Sequence, residues 1–170
     1  SVALYLKNNA FLDKAAVGFY LGDKKEFNKG VLQEFVHFFE FEDKPFVECV
    51  REFLQSFRIP GEAPLIEQIL DAYSIYYFNK TGGAPFKNLN VAFLMTMSVV
   101  MLNVELHNPN VKPEKKRTLA TYIKHMNKEN AGENFEEAFL AATYNSIAQN
   151  EIKIPEEHLG GKVPDGIWLA

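Results

Sequence analysis

Phe57-Arg58-Ile59-Pro60-Gly61-Glu62-Ala63-Pro64-Leu65 packs two prolines and a glycine into five residues, between two segments of helical apolar period. Pro60 fixes its own φ and pushes Ile59 out of helical geometry. Gly61 can adopt backbone angles closed to other residues, and Pro64 suits the first turn of a following helix. The chain must turn sharply here, and the turn presents one acidic side chain, Glu62. Local chemistry leaves two readings open. One makes Glu62 a complement to the positive end of the next helix, worth a few tenths to about 1 kcal/mol. Alternatively, a short stiff loop carries a single charge into a partner's site.

On either side of this turn the apolar residues recur with a helical period. Residues 2–7 read as the end of a helix whose beginning is absent. Asp13 can cap a helix over 14–21, with Gly22 as its stop. A third helix starts at Asp23, with Phe27, Val31, Phe35 and Phe38 on one face. Pro45 opens a fourth, with Phe46, Val50, Phe53, Leu54 and Phe57 facing inward. The fifth carries Leu65, Ile66, Ile69, Leu70, Tyr73 and Tyr77, and ends at Thr81-Gly82-Gly83-Ala84-Pro85. No sustained period-2 alternation occurs, so the expected fold is all-α.

The sixth helix differs in kind. Behind an N-cap at Asn88, residues 91–102 are apolar nearly all the way round, which predicts a hub buried by its neighbours or by a partner. Polarity returns in Asn103-Val104-Glu105-Leu106-His107-Asn108-Pro109-Asn110. There Asn103, Glu105, His107 and Asn108 either line a rim or simply finish the helix ahead of Pro109. Residues 112–117 form a basic loop, solvated or set against anionic lipid. Thr118 begins a short helix and residues 127–133 form a polar loop. Asn134 with Glu137 resembles a capping box for a last helix over 135–150. Residues 152–155 and 160–168 are expected to pack as an extended strap.

The 170 residues are 47% hydrophobic, enough for one domain spanning 1–170 that buries about 70% of its unfolded surface. The net charge is -4 and the basic residues are dispersed, which argues against nucleic acid as a partner. The one cysteine, Cys49, excludes an internal disulfide and suits a reducing compartment. No signal peptide is visible, and the 12-residue run at 91–102 is too short to span a bilayer, so a soluble protein is expected. His37, His107, His125 and His158 are scattered without metal-ligand spacing, so no metal site is expected. Gly82-Gly83 lacks the partners of a phosphate loop, and no G-x-S-x-G elbow occurs. A hydrolase stays open as a reading, but nothing in the sequence points to it.

The turn and the sixth helix together carry a resemblance. Phe57 to Ala63, followed about 40 residues later by Val100-Met101-Leu102-Asn103-Val104-Glu105-Leu106-His107-Asn108-Pro109-Asn110, resembles the two signature motifs of the Sec7 domain. That domain is the catalytic module of guanine-nucleotide exchange factors for Arf GTPases. Val17-Gly18-Phe19-Tyr20-Leu21-Gly22 and Asn150-Glu151-Ile152 match as well, so the resemblance covers almost the whole chain. Pro64-Leu65-Ile66 and Ile154-Pro155-Glu156-Glu157 look more like the large Golgi-localised GBF/Gea subgroup than the cytohesins.

The resemblance implies a right-handed superhelix of about ten helices, the first of them missing here. It implies an exchange factor for Arf-family GTPases, met in their GDP-bound and nucleotide-free forms, in Golgi vesicle trafficking. Localisation would be cytosolic with peripheral recruitment to Golgi membranes, so membrane contact is indirect. Glu62 matches the family's glutamic finger, the catalytic residue. Phe57, Arg58, Ile59, Pro60, Gly61, Phe93, Met97, Val100, Met101, Glu105 and Asn108 would form the partner-binding groove. No cofactor is implied, because Mg²⁺ and guanine nucleotide belong to the GTPase. Met97, Ser98 and Glu105 fall where sensitivity to brefeldin A is decided; Ser98 leans towards sensitivity, while Met97 replaces the usual Tyr. Glu105 stands where relatives often have Asp, and Lys128-Glu129-Asn130 replaces a glycine-containing stretch. The competing reading is a helical scaffold that keeps the groove but exchanges nothing.

Overall fold

The structure, a computed structural model, describes residues 1–156. Eight α-helices and one 3-10 turn account for most of them: α1 (Val2–Asn8), α2 (Lys14–Gly22), α3 (Glu26–Val36), α4 (Phe46–Gln55), α5 (Ala63–Thr81), α6 (Leu89–His107), the turn Pro113–Lys115, α7 (Leu119–His125) and α8 (Glu137–Gln149). The expected count of about ten is thus eight among the described residues. No strand forms among them; Asn130 and Glu133 make one isolated bridge. The expected strap over 160–168 lies outside the described residues. Residues 151–156 do run without regular structure, with Ile152 buried.

Local chemistry explains several helix ends. Asp13 caps α2 through the Ala15 N–H, and Asn88 caps α6 through the Val91 N–H. Gly82 closes α5 at φ 79°, the left-handed C-cap that glycine adopts at no steric cost. Two expectations fail. The residue preceding α8 is Glu136, and Asn134 instead accepts a hydrogen bond from the Lys128 N–H at 2.7 Å, so the capping box does not form. Phe27 is 66% exposed, and Phe38, beyond the end of α3, is exposed as well, so of the four residues expected on one face only Val31 and Phe35 are buried. In the 127–133 loop, Lys128 and Ala131 take φ of 62° and 51°, values that a glycine would accept without strain. Asn130 pins that loop, donating to Pro85 O and accepting from the Lys87 N–H.

The core is aromatic where α3, α4 and α5 meet. Phe53 stacks on Tyr73 with ring centroids 4.3 Å apart, and Phe35, Phe39 and Phe57 meet it edge-on or tilted. α5 and α6 then form a long antiparallel pair, with Ser74 Oγ 3.2 Å from Thr96 Oγ1. Eleven residues back from Ser74 and eleven on from Thr96, at about 1.5 Å per residue, the start of α5 lies level with the end of α6. The turn before α5 and the polar end of α6 therefore share one end of the molecule.

α6 runs to 19 residues, seven more than the apolar run within it; by length and composition alone, at a mean hydropathy of 1.7, it is long and apolar enough to cross a bilayer, a test that the core helix of a soluble protein also passes. It is also not encircled. Val91, Ala92, Met95, Thr96, Val99, Leu102 and Asn103 are buried against the fold, while Leu94, Met101 and Val104 are 48%, 61% and 54% exposed.

Candidate functional site: a clamped acidic loop beside an exposed apolar helix face

The loop before α5 is held from below and from both sides. Phe57 is fully buried, its ring 5.7 Å from Phe35 and 5.1 Å from Phe53. It anchors the loop and cannot line a partner groove, contrary to the sequence expectation. Pro60 is buried too. The Arg58 N–H donates to Lys14 O at 3.0 Å, tying the loop to the start of α2. Its guanidinium turns to the C-terminal strap, where Nη1 donates to Pro155 O at 2.9 Å. Beneath the loop lies Gly18, where a Cβ would sit 1.9 Å from Arg58 O and 3.3 Å from Pro60 Cδ. Gly18 is thus the glycine that the loop requires. Gly61, credited with that role in sequence, has no positive φ, and a Cβ there would meet nothing.

On this clamped base stands Glu62, exposed, immediately before α5. Its backbone carbonyl accepts from the Leu65 and Ile66 N–H groups, which begins the helix. Its carboxylate makes no capping bond and pairs with no cation among the described residues. At the N-cap of α5 the carboxylate also lies by the positive end of that helix, so both readings left open above remain compatible with its position.

Along the outer side of α6, Phe93, Met97, Val100 and Val104 follow one another at intervals of four, three and four, and Leu94, Met97, Met101, Val104 and Asn108 do so at three and four. Phe93, Met97 and Val100 are half-buried, and Met101, Leu94 and Val104 are exposed. Leu94 and Val104 were not singled out in sequence, although the same helical period contains them. At the lower end Asn108 is half-buried, and its Oδ1 accepts from the Asn110 N–H at 2.9 Å in a tight turn.

The remaining polar candidates are committed elsewhere. Glu105 gives both carboxylate oxygens to Arg117, one to Nε at 2.8 Å and one to the backbone N–H at 3.1 Å. Asn103 is buried and His107 half-buried, and both point to the chain's C-terminal part: Asn103 to Ile152, and His107 Nε2 to Ile147 O at 2.6 Å. Ser98 is half-buried near the Tyr122 hydroxyl, and burial pushes that hydroxyl's pKa up. A separate groove of about 940 Å³ runs between α3 and α5, reaching Pro64 at one end and Phe93 on α6. Among the described residues no cluster of His, Cys, Asp or Glu could hold a metal.

Glu62, unpaired among the described residues, thus stands on a braced loop, and the outer side of α6 carries the exposed Leu94, Met101 and Val104 beside the half-buried Phe93 and Met97. Residues 1–152 match the Sec7 domain family, and the chain belongs to that family. It is 36% identical over 156 residues to the ADP-ribosylation factor guanine nucleotide-exchange factor sec71 of Schizosaccharomyces pombe, covering 92% of this chain and 8% of that protein. It is 38% identical over 159 residues to human cytohesin-2, covering 92% of this chain and 38% of that protein. The chain thus spans only a small part of the long relative, and the two identities do not separate large from small exchange factors. The fold superposes on the Sec7 domain in a structure of ARF1-GDP bound to a Sec7 domain complexed with brefeldin A. That match has a TM-score of 0.80 at 34% identity, covering 92% of this chain and 78% of the other.

Proposed function

We propose that this Sec7 domain releases guanine nucleotide from an Arf-family GTPase, with Glu62 as the acidic finger and the outer face of α6 as the docking groove. The observation that carries the reading is the free Glu62 carboxylate on a loop held by Gly18, Lys14 and Pro155, level with the end of an exposed apolar strip. Ile59, Pro60 and Gly61 shape the finger's approach; Phe93, Met97, Val100 and Met101 receive the GTPase's mobile segments, and Asn108 closes the polar end. Methionine suits that work because it repacks against a partner that changes shape.

Inserted into the nucleotide site, the carboxylate repels the β-phosphate, competes for the lysine that binds it and displaces Mg²⁺. A like charge at 4 Å costs about 4 kcal/mol at an effective dielectric near 20. A nucleotide held at nanomolar affinity is bound by about 12 kcal/mol, so repulsion alone is too weak. The rest comes from the groove, which binds the GTPase more tightly without its nucleotide than with it. Nucleotide and Mg²⁺ belong to the partner, met GDP-bound and left nucleotide-free.

The finer reading is a GBF/Gea-type domain with right-handed superhelical winding, acting in Golgi trafficking and recruited peripherally from the cytosol. Met97 and Ser98, with Glu105 held by Arg117, would set its response to brefeldin A, which a similar Sec7 domain binds together with ARF1-GDP.

The test is release of fluorescent GDP from a purified Arf. Wild type should accelerate it, and Glu62→Lys should abolish the acceleration while still forming a complex. Binding without release in wild type would favour the scaffold reading, and no binding would end both. The same assay with saturating brefeldin A decides the inhibitor response.

A further inference from the structure

Residues 150–155 are fastened almost one by one, each time to a side chain of another element. Arg51, buried in α4, donates through Nη1 to Asn150 O at 2.8 Å and through Nη2 to Ser146 O and Oγ at 3.1 and 2.9 Å. Asn103 of α6 makes a reciprocal pair with Ile152, its Nδ2 donating to Ile152 O at 3.1 Å and its Oδ1 accepting from Ile152 N at 2.8 Å. The Lys153 N–H donates to Gln55 Oε1 at 3.1 Å, and Pro155 O accepts from Arg58. Three residues separate the Asn103 fastening from the Arg58 fastening. An extended chain of that length spans at most about 11 Å, and Pro155 stiffens it.

The strap thus joins the base of the finger to the groove helix by a short tie of fixed length. From this we infer that Arg58 and Asn103 are positioning residues: through residues 152–155 they set where Glu62 stands relative to the apolar strip of α6. The inference rests on the exchange reading above. It follows from what that reading demands. The partner is held by α6, while the carboxylate that must enter its nucleotide site stands on a different element. A misplacement of about 1 Å in such a pair can cost on the order of 100-fold in rate. Arg58 lies four residues before Glu62, and without its guanidinium the loop keeps its seat on α2 and its junction with α5 but loses the direct tie to α6 through residues 152–155. The strip itself is carried by α6 along α5 and does not depend on that bond.

The experiment measures GDP release against exchange-factor and GTPase concentration for wild type, Glu62→Lys, Arg58→Ala and Asn103→Ala, with complex formation followed separately on nucleotide-free GTPase. Arg58→Ala is expected to lower kcat at least tenfold, with KM and affinity for the nucleotide-free GTPase within threefold of wild type, the signature of lost transition-state geometry. Asn103→Ala releases the other end of the tie and is expected to do the same. If that buried variant does not fold, Arg58→Ala alone decides. A kcat within twofold of wild type overturns the inference. So does a raised KM at unchanged kcat, which would make Arg58 a direct partner contact. If wild type itself releases no GDP, the exchange reading has failed and takes this one with it.

Discussion

Replacing Gly18 by alanine places a methyl group 1.9 Å from Arg58 O, 3.1 Å from its carbonyl carbon and 3.3 Å from Pro60 Cδ. Ordinary contact begins near 3.4 Å, so the carbonyl must retreat by about 1.5 Å. No rotamer change relieves the clash, because the atoms involved are backbone and a proline ring. The Arg58 N–H bond to Lys14 O, now 3.0 Å, holds the same segment against the same helix and would be stretched by the move. Overpacking costs about 1–3 kcal/mol and a lost hydrogen bond about 0.5–1.5. The helix propensity of alanine returns up to about 1. The expected net loss is about 1–3 kcal/mol, a fall in Tm of roughly 3–10 °C. Exchange should fall further than stability, on the order of 100-fold, because the displaced carbonyl lies four residues from Glu62. Gly30→Ala is the internal control: a Cβ there meets nothing within 4 Å, and the substitution should stabilise α3 by about 0.5–1 kcal/mol. Thermal unfolding and fluorescent-GDP release on both variants check the argument. A Gly18→Ala protein with wild-type melting and wild-type exchange would refute it.

Two further outcomes follow from burial. Met101 is 61% exposed, so Met101→Asp should leave stability within about 0.5 kcal/mol of wild type while weakening GTPase binding at least tenfold, as a titration of the nucleotide-free complex would read. The Tyr73 hydroxyl is buried without a partner, so Tyr73→Phe should stabilise by about 1 kcal/mol in denaturant unfolding. Burial pushes Tyr73 well above its usual value, Tyr77 to about 12 and the Cys49 thiol to about 11. Each therefore stays protonated in the fold at a pH where the unfolded chain has ionised it. Stability should be full below about pH 9 and fall as pH rises towards 12, by up to about 1.4 kcal/mol per unit for each group, with a shallower fall in Tyr73→Phe.

Punctuation made the fold legible in sequence: Asp13, Asn88, Gly82 and the prolines mark helix ends through bonds they make locally. The turn before α5 was legible for the same reason, since Pro60 and Pro64 act on their own backbone. α6 was legible only by half. Apolar residues all round it require company on every side, but composition cannot distinguish a neighbour from a partner, and Met101 reads the same as Met95. Least legible were the polar residues whose partners are remote. Arg51, Asn103 and Arg58 sit in helical or turn contexts that explain them locally, while their bonds go to residues 146–155. Gly18 gave only the weak signal of a glycine inside a helical pattern.

The bonds Arg51–Asn150, Gln55–Lys153 and Arg58–Pro155 join residues 99, 98 and 97 positions apart. Vectorial synthesis therefore delivers the finger long before its tie. At about 5–20 residues per second, the loop leaves the ribosome roughly 5–20 s ahead of Pro155. A nascent chain halted anywhere in that interval would carry Glu62 on a loop without its bond to Pro155. The tie on the acidic loop is thus timed by the synthesis of residues 150–155, about a hundred positions downstream of the residues that hold it.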